Sequence, residues 1–301
     1  MDKFDTLKLF TRIVELGSFT QAADQLNIPR ATASNAIKQL EADLNSRLLE
    51  RTTRHVRPSA DGQAFYQRCI QILSDLEDAE SSLKNVIQQP RGMLRIDLSN
   101  AQATQIVLPH IDEFHQRYPE IELIISSGDR LVDLVREGID CVIRAGNLQD
   151  SSLIARHLAN MPQVICASPD YLAQYGVPQH PSELTAHYAV GFFSVTGGQH
   201  SAIELILGGK KQEYTLNSWV SVNDAENYIL CALRHMGLIQ APRYHVQQQL
   251  QAGQLVEVLP AWKSLDMSVS VLYPQHRQLS PRVRVFAEWL SQVYKTFFRE
   301  D

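Results

Sequence analysis

Between Pro29 and Leu44 the chain sets Arg30, Thr32, Ser34, Asn35 and Lys38 on one side of a helical pattern. Ala33, Ile37, Leu40 and Leu44 fall on the other. The apolar residues recur at intervals of four, three and four, which is the spacing of one helix face. The opposite side is small, polar or basic, as a helix must be if its first turns are to enter a groove about 12 Å wide. Arginine pairs with the guanine edge and asparagine with the adenine edge, so Arg30 and Asn35 are candidates to read bases, with hydroxyls from Thr32 and Ser34 beside them. Lys38 suits a phosphate. Arg51, Thr53 and Arg54 form a second cluster, able to reach phosphates or a narrow minor groove. A helical bundle with an ordinary solvated face would show the same pattern, so the elements around it matter.

Leu7, Phe10, Ile13 and Val14 follow helical spacing up to Gly17; Ser18 can cap a second helix carrying Ala22, Ala23 and Leu26. Asn27-Ile28-Pro29 makes a turn, and Pro29 suits the start of the third helix. Leu48–Arg51 and Thr52–Val56 read as a small hairpin. The whole predicts a helix-turn-helix with a wing over residues 1–59. From Ser59 a long helix runs over about 60–88. Its apolar positions Phe65, Cys69, Ile72, Leu76, Ala79, Leu83 and Val86 alternate spacings of four and three, a heptad seam that predicts pairing with a second copy of itself. The competing arrangement packs the seam on its own N-terminal domain.

Gln88–Gly92 is a breaker cluster, and beyond it strands and helices alternate. Strands are expected at Met93–Leu98, Ile121–Ile125, Asp140–Arg144, Val164–Ala167, Ala189–Phe193, Leu238–Gln240 and Ser268–Tyr273. Helices are expected at Gln102–Arg117, Leu131–Arg136, Pro169–Tyr175, Asp224–His235, Arg243–Gln251 and Pro281–Phe298. Such alternation predicts mostly parallel sheets, here divided into two α/β subdomains: 90–162 with 267–301, and 163–266. Ligands of open α/β sheets bind beyond the carboxyl ends of strands, where helix starts offer free N–H groups. Ser99, Asn100 and Ala101, Ser126 and Ser127, and Arg144 occupy such ends in the first subdomain. Phe192, Phe193, Asn223 and Asp224 do so in the second. Hydroxyls, one cation and two aromatic faces would match a small organic acid. The plainer alternative is that the serine, asparagine and aspartate residues only cap helices, and that Arg144 pairs with Asp97.

Composition fits this reading. Of 301 residues, 44% are hydrophobic and 20% charged, which excludes a disordered or disulfide-stapled chain. The net charge of −5 conceals an asymmetry. Residues 1–60 carry nine basic and seven acidic groups, so the excess negative charge lies beyond them. Four dispersed cysteines predict free thiols in a reducing compartment, and no apolar run is long enough for a membrane span, so a cytoplasmic protein without membrane partners is expected. No nucleophile elbow, zinc-binding H-E-x-x-H, dinucleotide or phosphate-loop motif occurs, and Gly208-Gly209-Lys210 lacks the earlier glycine of a phosphate loop. Neither an enzyme nor a cofactor is expected. A plain solute-binding protein would leave the basic module idle.

Phe19-Thr20-Gln21-Ala22-Ala23-Asp24-Gln25-Leu26, the Ser34–Glu41 stretch, Leu48–Arg54 and Pro58-Ser59-Ala60-Asp61-Gly62 together resemble the signature of LysR-type transcriptional regulators. The likeness continues through Tyr118-Pro119, Glu137–Asp140, Ser168–Leu172 and Leu279–Phe286, and so covers essentially the whole chain. It implies a winged helix-turn-helix, a dimerising linker helix over 60–89 and a periplasmic-binding-protein-like effector domain over 90–301. It implies, too, double-stranded operator DNA in an interrupted palindrome, a homotetrameric assembly, a small-molecule effector, and RNA polymerase as a candidate further partner. Ser18 and Thr20, at the start of the second helix, join the DNA-contacting set on this basis. Asn35 stands where the family often has arginine, and Pro29-Arg30 where Ser-Gln is frequent; both departures lie on the base-reading surface.

Overall fold

The computed structural model describes residues 1–51, 56–83, 90–130, 133–146, 153–194, 198–200, 202–275 and 280–298. Helix α1 (Lys3–Leu16) begins at Asp2, whose carboxylate accepts from Asp5 N at 2.7 Å. Helix α2 (Phe19–Gln25) begins at Ser18, whose Oγ accepts from Gln21 N at 3.3 Å. Helix α3 (Arg30–Asp43) follows Pro29. Phe10, Ile13, Ala22, Ala23, Ala33 and Ile37 are fully buried between the three. Leu44, expected on that face, is instead 42% exposed, because α3 ends at this residue before its apolar stripe returns to the core.

Strands β1 (Leu49–Arg51) and β2 (Val56–Pro58) form the expected antiparallel wing; its tip, with Thr53 and Arg54, lies outside the described residues. Glu41 fastens the wing to α3, its Oε1 accepting from Leu48 N at 2.8 Å and Leu49 N at 3.0 Å. Helix α4 (Ala60–Leu83) leaves the wing at Ser59, whose Oγ donates to Arg47 O at 2.6 Å and accepts from Gly62 N at 2.9 Å. A Cβ on Gly62 would stand 1.9 Å from the Leu48 carbonyl oxygen, so only glycine lets α4 start against the wing.

The heptad seam of α4 is divided. Phe65 packs on Phe10 with ring centroids 5.5 Å apart, and Cys69 is fully buried in the core of the N-terminal domain. Ile72, one step further, is 44% exposed. The end of the expected helix, with Val86, lies outside the described residues. Where described, α4 also rests on the following domain: Arg282 Nη2 donates to Ser74 Oγ at 2.6 Å, and Arg95 Nη1 to Gln67 Oε1 at 3.3 Å.

The rest of the chain folds as two lobes. The first is a five-stranded sheet built from β3 (Gly92–Leu98), β4 (Ile121–Ser127), β5 (Cys141–Ala145), β6 (Leu153–Met161) and β15 (Met267–Pro274), in the order β4-β3-β5-β15-β6. Its core joins Leu94, Ile96 and Leu98 to Phe114, Phe286, Trp289 and Tyr294. The helix expected at Gln102–Arg117 is broken into α5 (Asn100–Gln102), a π turn (Ala103–Val107), a 3-10 turn (Leu108–His110) and α6 (Ile111–Arg117), consistent with Pro109 removing a helical N–H. Helix α7 (Leu134–Glu137) covers only part of the expected Leu131–Arg136, the start of which lies outside the described residues.

In the second lobe β7 (Gln163–Ala167), α8 (Pro169–Tyr175), β8 (Gly191–Ser194), β9 (Gly198–His200), the hairpin β10 (Ala202–Leu207) with β11 (Lys210–Thr215), and β12 (Ser221–Val222) lead to α9 (Ala225–Leu233). Then come β13 (Ile239–Pro242), α10 (Arg243–Gln251) and β14 (Val256–Val258). Gly208 and Gly209, at φ 57 and 77, make the two-residue turn between β10 and β11. Helix α11 (Pro281–Phe297) returns to the first lobe.

The expectation of mostly parallel sheets is corrected. Among the described strands only β3–β4, β3–β5 and β8–β12 pair in parallel and every other ladder is antiparallel, though isolated parallel bridges join Tyr188 to Asn217 and Ala189 to Leu238. The pairs β1–β2, β8–β9 and β10–β11 are antiparallel because consecutive strands there turn back on themselves, and in the first lobe the physical reason is the double crossing between lobes. The chain leaves the first lobe along β6 and re-enters along β15, with Met267 opposite Met161, and neighbours that cross one boundary in opposite senses must be antiparallel.

Candidate nucleic-acid interface and effector cleft

On α3 the structure exposes Arg30, Thr32, Asn35 and Lys38 together, with Ser34 half-buried beside them. Ala33, Ile37 and Leu40 anchor the other face, so the backbone beneath the exposed row is fixed. Arg30 lies 3.5 Å from Asp24, both well exposed, a pair weak enough to be exchanged for a base or phosphate. Ser18 and Thr20 are half-buried at the start of α2, where Ser18 already serves as its cap. The backbone of Arg51 pairs with Val56 in the wing.

The carboxyl ends of β3, β4 and β5 bring Ser99, Ser126, Ser127 and Arg144 to one edge of the first lobe. Opposite them stand Phe192 and Phe193 at the end of β8, and Asn223 and Asp224 ahead of α9. Among the described residues two side-chain hydrogen bonds span the cleft, besides the packing of Tyr244 on Phe297 and Phe298 at the end of α11. Asn100 Nδ2 donates to Glu226 Oε1, and Asp129 Oδ2 accepts from Ala225 N, the first residue of α9, at 2.9 Å. Asn100 was a sequence candidate; Asp129 and Glu226 were not. Asp129 had a legible signal, since it follows Ser126-Ser127-Gly128 just past a strand end. Glu226 had none beyond the ordinary acidic first turn of a helix.

Several candidates serve the fold as well. Ser99 Oγ accepts from Gln102 N at 3.3 Å and Asp224 Oδ1 from Asn227 N at 2.9 Å, both as helix caps. Ala101 is buried. Arg144 forms an ion pair with Asp97 and donates to the carbonyls of Ile143 (3.0 Å), Arg130 (3.2 Å) and Asp97 (3.3 Å). Ser126 Oγ donates to the other Asp97 oxygen at 2.5 Å. Phe192 meets Tyr228 edge-to-face at 5.5 Å, whereas Phe193 stays 36% exposed. Burial raises the pKa of Asp129 above its ordinary value; Asp224 and Glu226 push it the same way, against the Ala225 N–H and Arg144. Among the described residues no group of His, Cys, Asp and Glu could hold a metal ion, and no helix is long and apolar enough to cross a membrane.

Residues 4–63 match the bacterial regulatory helix-turn-helix protein model of the lysR family, and residues 87–295 match the LysR substrate binding domain. The chain belongs to the LysR family. It is a LysR-type transcriptional regulator rather than an enzyme, and members of this family bind DNA and small-molecule effectors and oligomerise. It is 39% identical to the HTH-type transcriptional regulator YhjC of Escherichia coli over 99% of both chains. An HTH-type transcriptional repressor of Pseudomonas aeruginosa is 35% identical over 98% of this chain and 93% of its own. The activator AaeR of Escherichia coli is 30% identical over 98% and 94%. Among solved structures, the regulator CrgA of Neisseria meningitidis superposes with a TM-score of 0.58 at 28% identity, covering 98% of this chain and 99% of that one. The Vibrio cholerae virulence activator AphB gives 0.54 at 28%, covering 96% and 98%.

Proposed function

We propose that this LysR-type regulator is a homotetramer that holds an interrupted palindrome of double-stranded operator DNA and changes its grip when a small organic acid enters the cleft between the lobes. In this reading residues 1–59 bind DNA, 60–89 dimerise, and 90–301 sense the acid. The regulator acts in the cytoplasm, with RNA polymerase as a further partner. Arg30, Ser34 and Asn35 read bases, while Lys38, Arg51 and Arg54 hold the backbone. The observation that carries the reading is the exposed row on α3 over a sealed apolar face.

The cleft contacts support the sensing step. A ligand shifts an equilibrium only through its difference in affinity between two arrangements, and groups meeting across a cleft supply such a difference. The N–H of Ala225 already receives a carboxylate, that of Asp129, so an acid competes with Asp129 for it. Asp129→Asn removes the competing charge and is expected to tighten acid binding by roughly tenfold, read by isothermal titration with a panel of organic acids. Weaker binding in the variant would place the acid elsewhere.

A gel-shift assay on the neighbouring intergenic DNA, with and without those acids, tests the whole reading. There Asn35→Ala is expected to lose about 1–3 kcal/mol of discrimination at one operator position. Arg51→Ala is expected to weaken all sequences alike and to flatten the salt dependence. Unchanged sequence preference in Asn35→Ala would remove Asn35 from the base-reading set.

A further inference from the structure

The second lobe has an aromatic pocket at the pole away from the cleft. Strands β8 and β12 run in parallel toward the cleft, and Phe193 and Asn223 lie at those ends. At the opposite ends stand Tyr188 and Trp219, joined by Tyr171 and Tyr175 of α8 and by His235 and Met236 past the end of α9. These residues line a cavity of about 410 Å³. Trp219 is 67% exposed, Tyr175 43% and Tyr188 39%, so three ring systems face solvent at one place. Tyr171 and Tyr175 stack at 4.7 Å, and Tyr188 meets Tyr175 at 5.8 Å and 70°, giving walls in two nearly perpendicular orientations. The Tyr171 hydroxyl accepts from Tyr188 N at 2.9 Å and lies 3.2 Å from Tyr188 O, which holds floor and wall apart.

Two features of the pocket favour a cation. Ring faces carry the negative side of the aromatic quadrupole, and the C-terminal end of α9 adds the negative end of its dipole. The exposed Asp170 carboxylate sits 3.3 Å from His235 Nε2, while His235 Nδ1 lies 2.8 Å from Ser168 Oγ. Among the described lining residues there is neither lysine nor arginine, and the ionisable His235 is already held by Asp170 and Ser168.

The geometry points to a second ligand site, distinct from the effector cleft, that takes an alkylammonium cation between Trp219, Tyr175 and Tyr188, with Asp170 as its counter-charge. Cation–π attraction supplies the affinity, and the perpendicular walls match a rounded ammonium head rather than a flat ring.

Tryptophan fluorescence of the full-length protein tests this, titrated with choline and with its uncharged carbon isostere 3,3-dimethylbutan-1-ol. Choline is expected to change the emission saturably and to bind about tenfold more tightly than the isostere. Trp219→Phe should keep choline binding when followed by calorimetry, Trp219→Ala should abolish it, and Asp170→Asn should weaken it several-fold. Circular dichroism checks that the variants stay folded, as so exposed a position predicts. Equal affinity for the isostere would make the pocket merely apolar and overturn the proposal. So would choline binding that survives Trp219→Ala, or an emission change that follows protein concentration instead of choline, which would seat a second copy on the pocket. None of these results bears on the regulator reading, whose test is the gel shift with and without organic acids.

Discussion

Ile72→Asp is expected to leave a folded protomer that no longer assembles. Of the seam on α4, Phe65 and Cys69 are committed to the core of the N-terminal domain, and Leu73 packs there too. Ile72 points away from that core and is 44% exposed. A charge at such a position changes the stability of the protomer by no more than about 0.5 kcal/mol. In a paired heptad seam the same carboxylate is buried unpaired, at a cost of several kcal/mol. Four kcal/mol of that would weaken association by about a thousandfold. Operator affinity should fall with it, because two half-sites held by one assembly bind far more tightly than each alone. Sedimentation velocity should show smaller species, with thermal unfolding of the N-terminal domain unchanged. Cys69→Asp, one seam position earlier, should do the opposite and unfold that domain. An Ile72→Asp protein of unaltered size would mean that Ile72 lies outside the contact between protomers.

The contrast between these two positions shows what the sequence conveys and what it does not. Spacing alone located α4 and its apolar positions, but spacing cannot say which partner an apolar residue meets, so a divided stripe read as one seam. The helix-turn-helix was legible because its signals are local: Ser18 as a cap, Pro29 as a start, and Ala33, Ile37 and Leu40 at helical intervals. The lobes were less so. Strand β11 (Lys210–Thr215) is polar and exposed along nearly its whole length and is held to β10 by backbone pairing, which leaves no hydrophobic alternation to read. Strand β6, at the sheet edge, mixes Arg156, His157 and Asn160 among its apolar residues. Strand direction was also hidden, since β15 owes its antiparallel sense to a crossing made a hundred residues after β6. In the cleft, the caps Ser99 and Asp224 were visible from their neighbours. The contacts of Asp129 with Ala225 and of Asn100 with Glu226 join residues 96 and 126 positions apart, and no local spacing encodes them.

Arg144→Ala is expected to destabilise the effector domain before it says anything about a ligand. The side chain of Arg144 is 16% exposed and that of Asp97 only 4%, so their ion pair is largely shielded from water. The guanidinium also holds the carbonyls of Asp97, Ile143 and Arg130, tying the ends of β3 and β5 to the loop after β4. Truncating Arg144 leaves the Asp97 charge buried with Ser126 Oγ as its remaining side-chain donor among the described residues. Breaking a buried pair from one side costs about 3–5 kcal/mol, which for a domain of this size lowers the unfolding temperature by roughly 6–20 °C. Adding Asp97→Ala removes the stranded charge and should restore much of that loss, a non-additivity that calorimetric unfolding of the two single variants and the double variant would reveal. The double variant then separates two roles for Arg144. If acid binding returns with stability, Arg144 positions the cleft wall; if stability returns and binding does not, Arg144 meets the acid itself. A single variant as stable as the parent would show that the pair does not hold the wall at all.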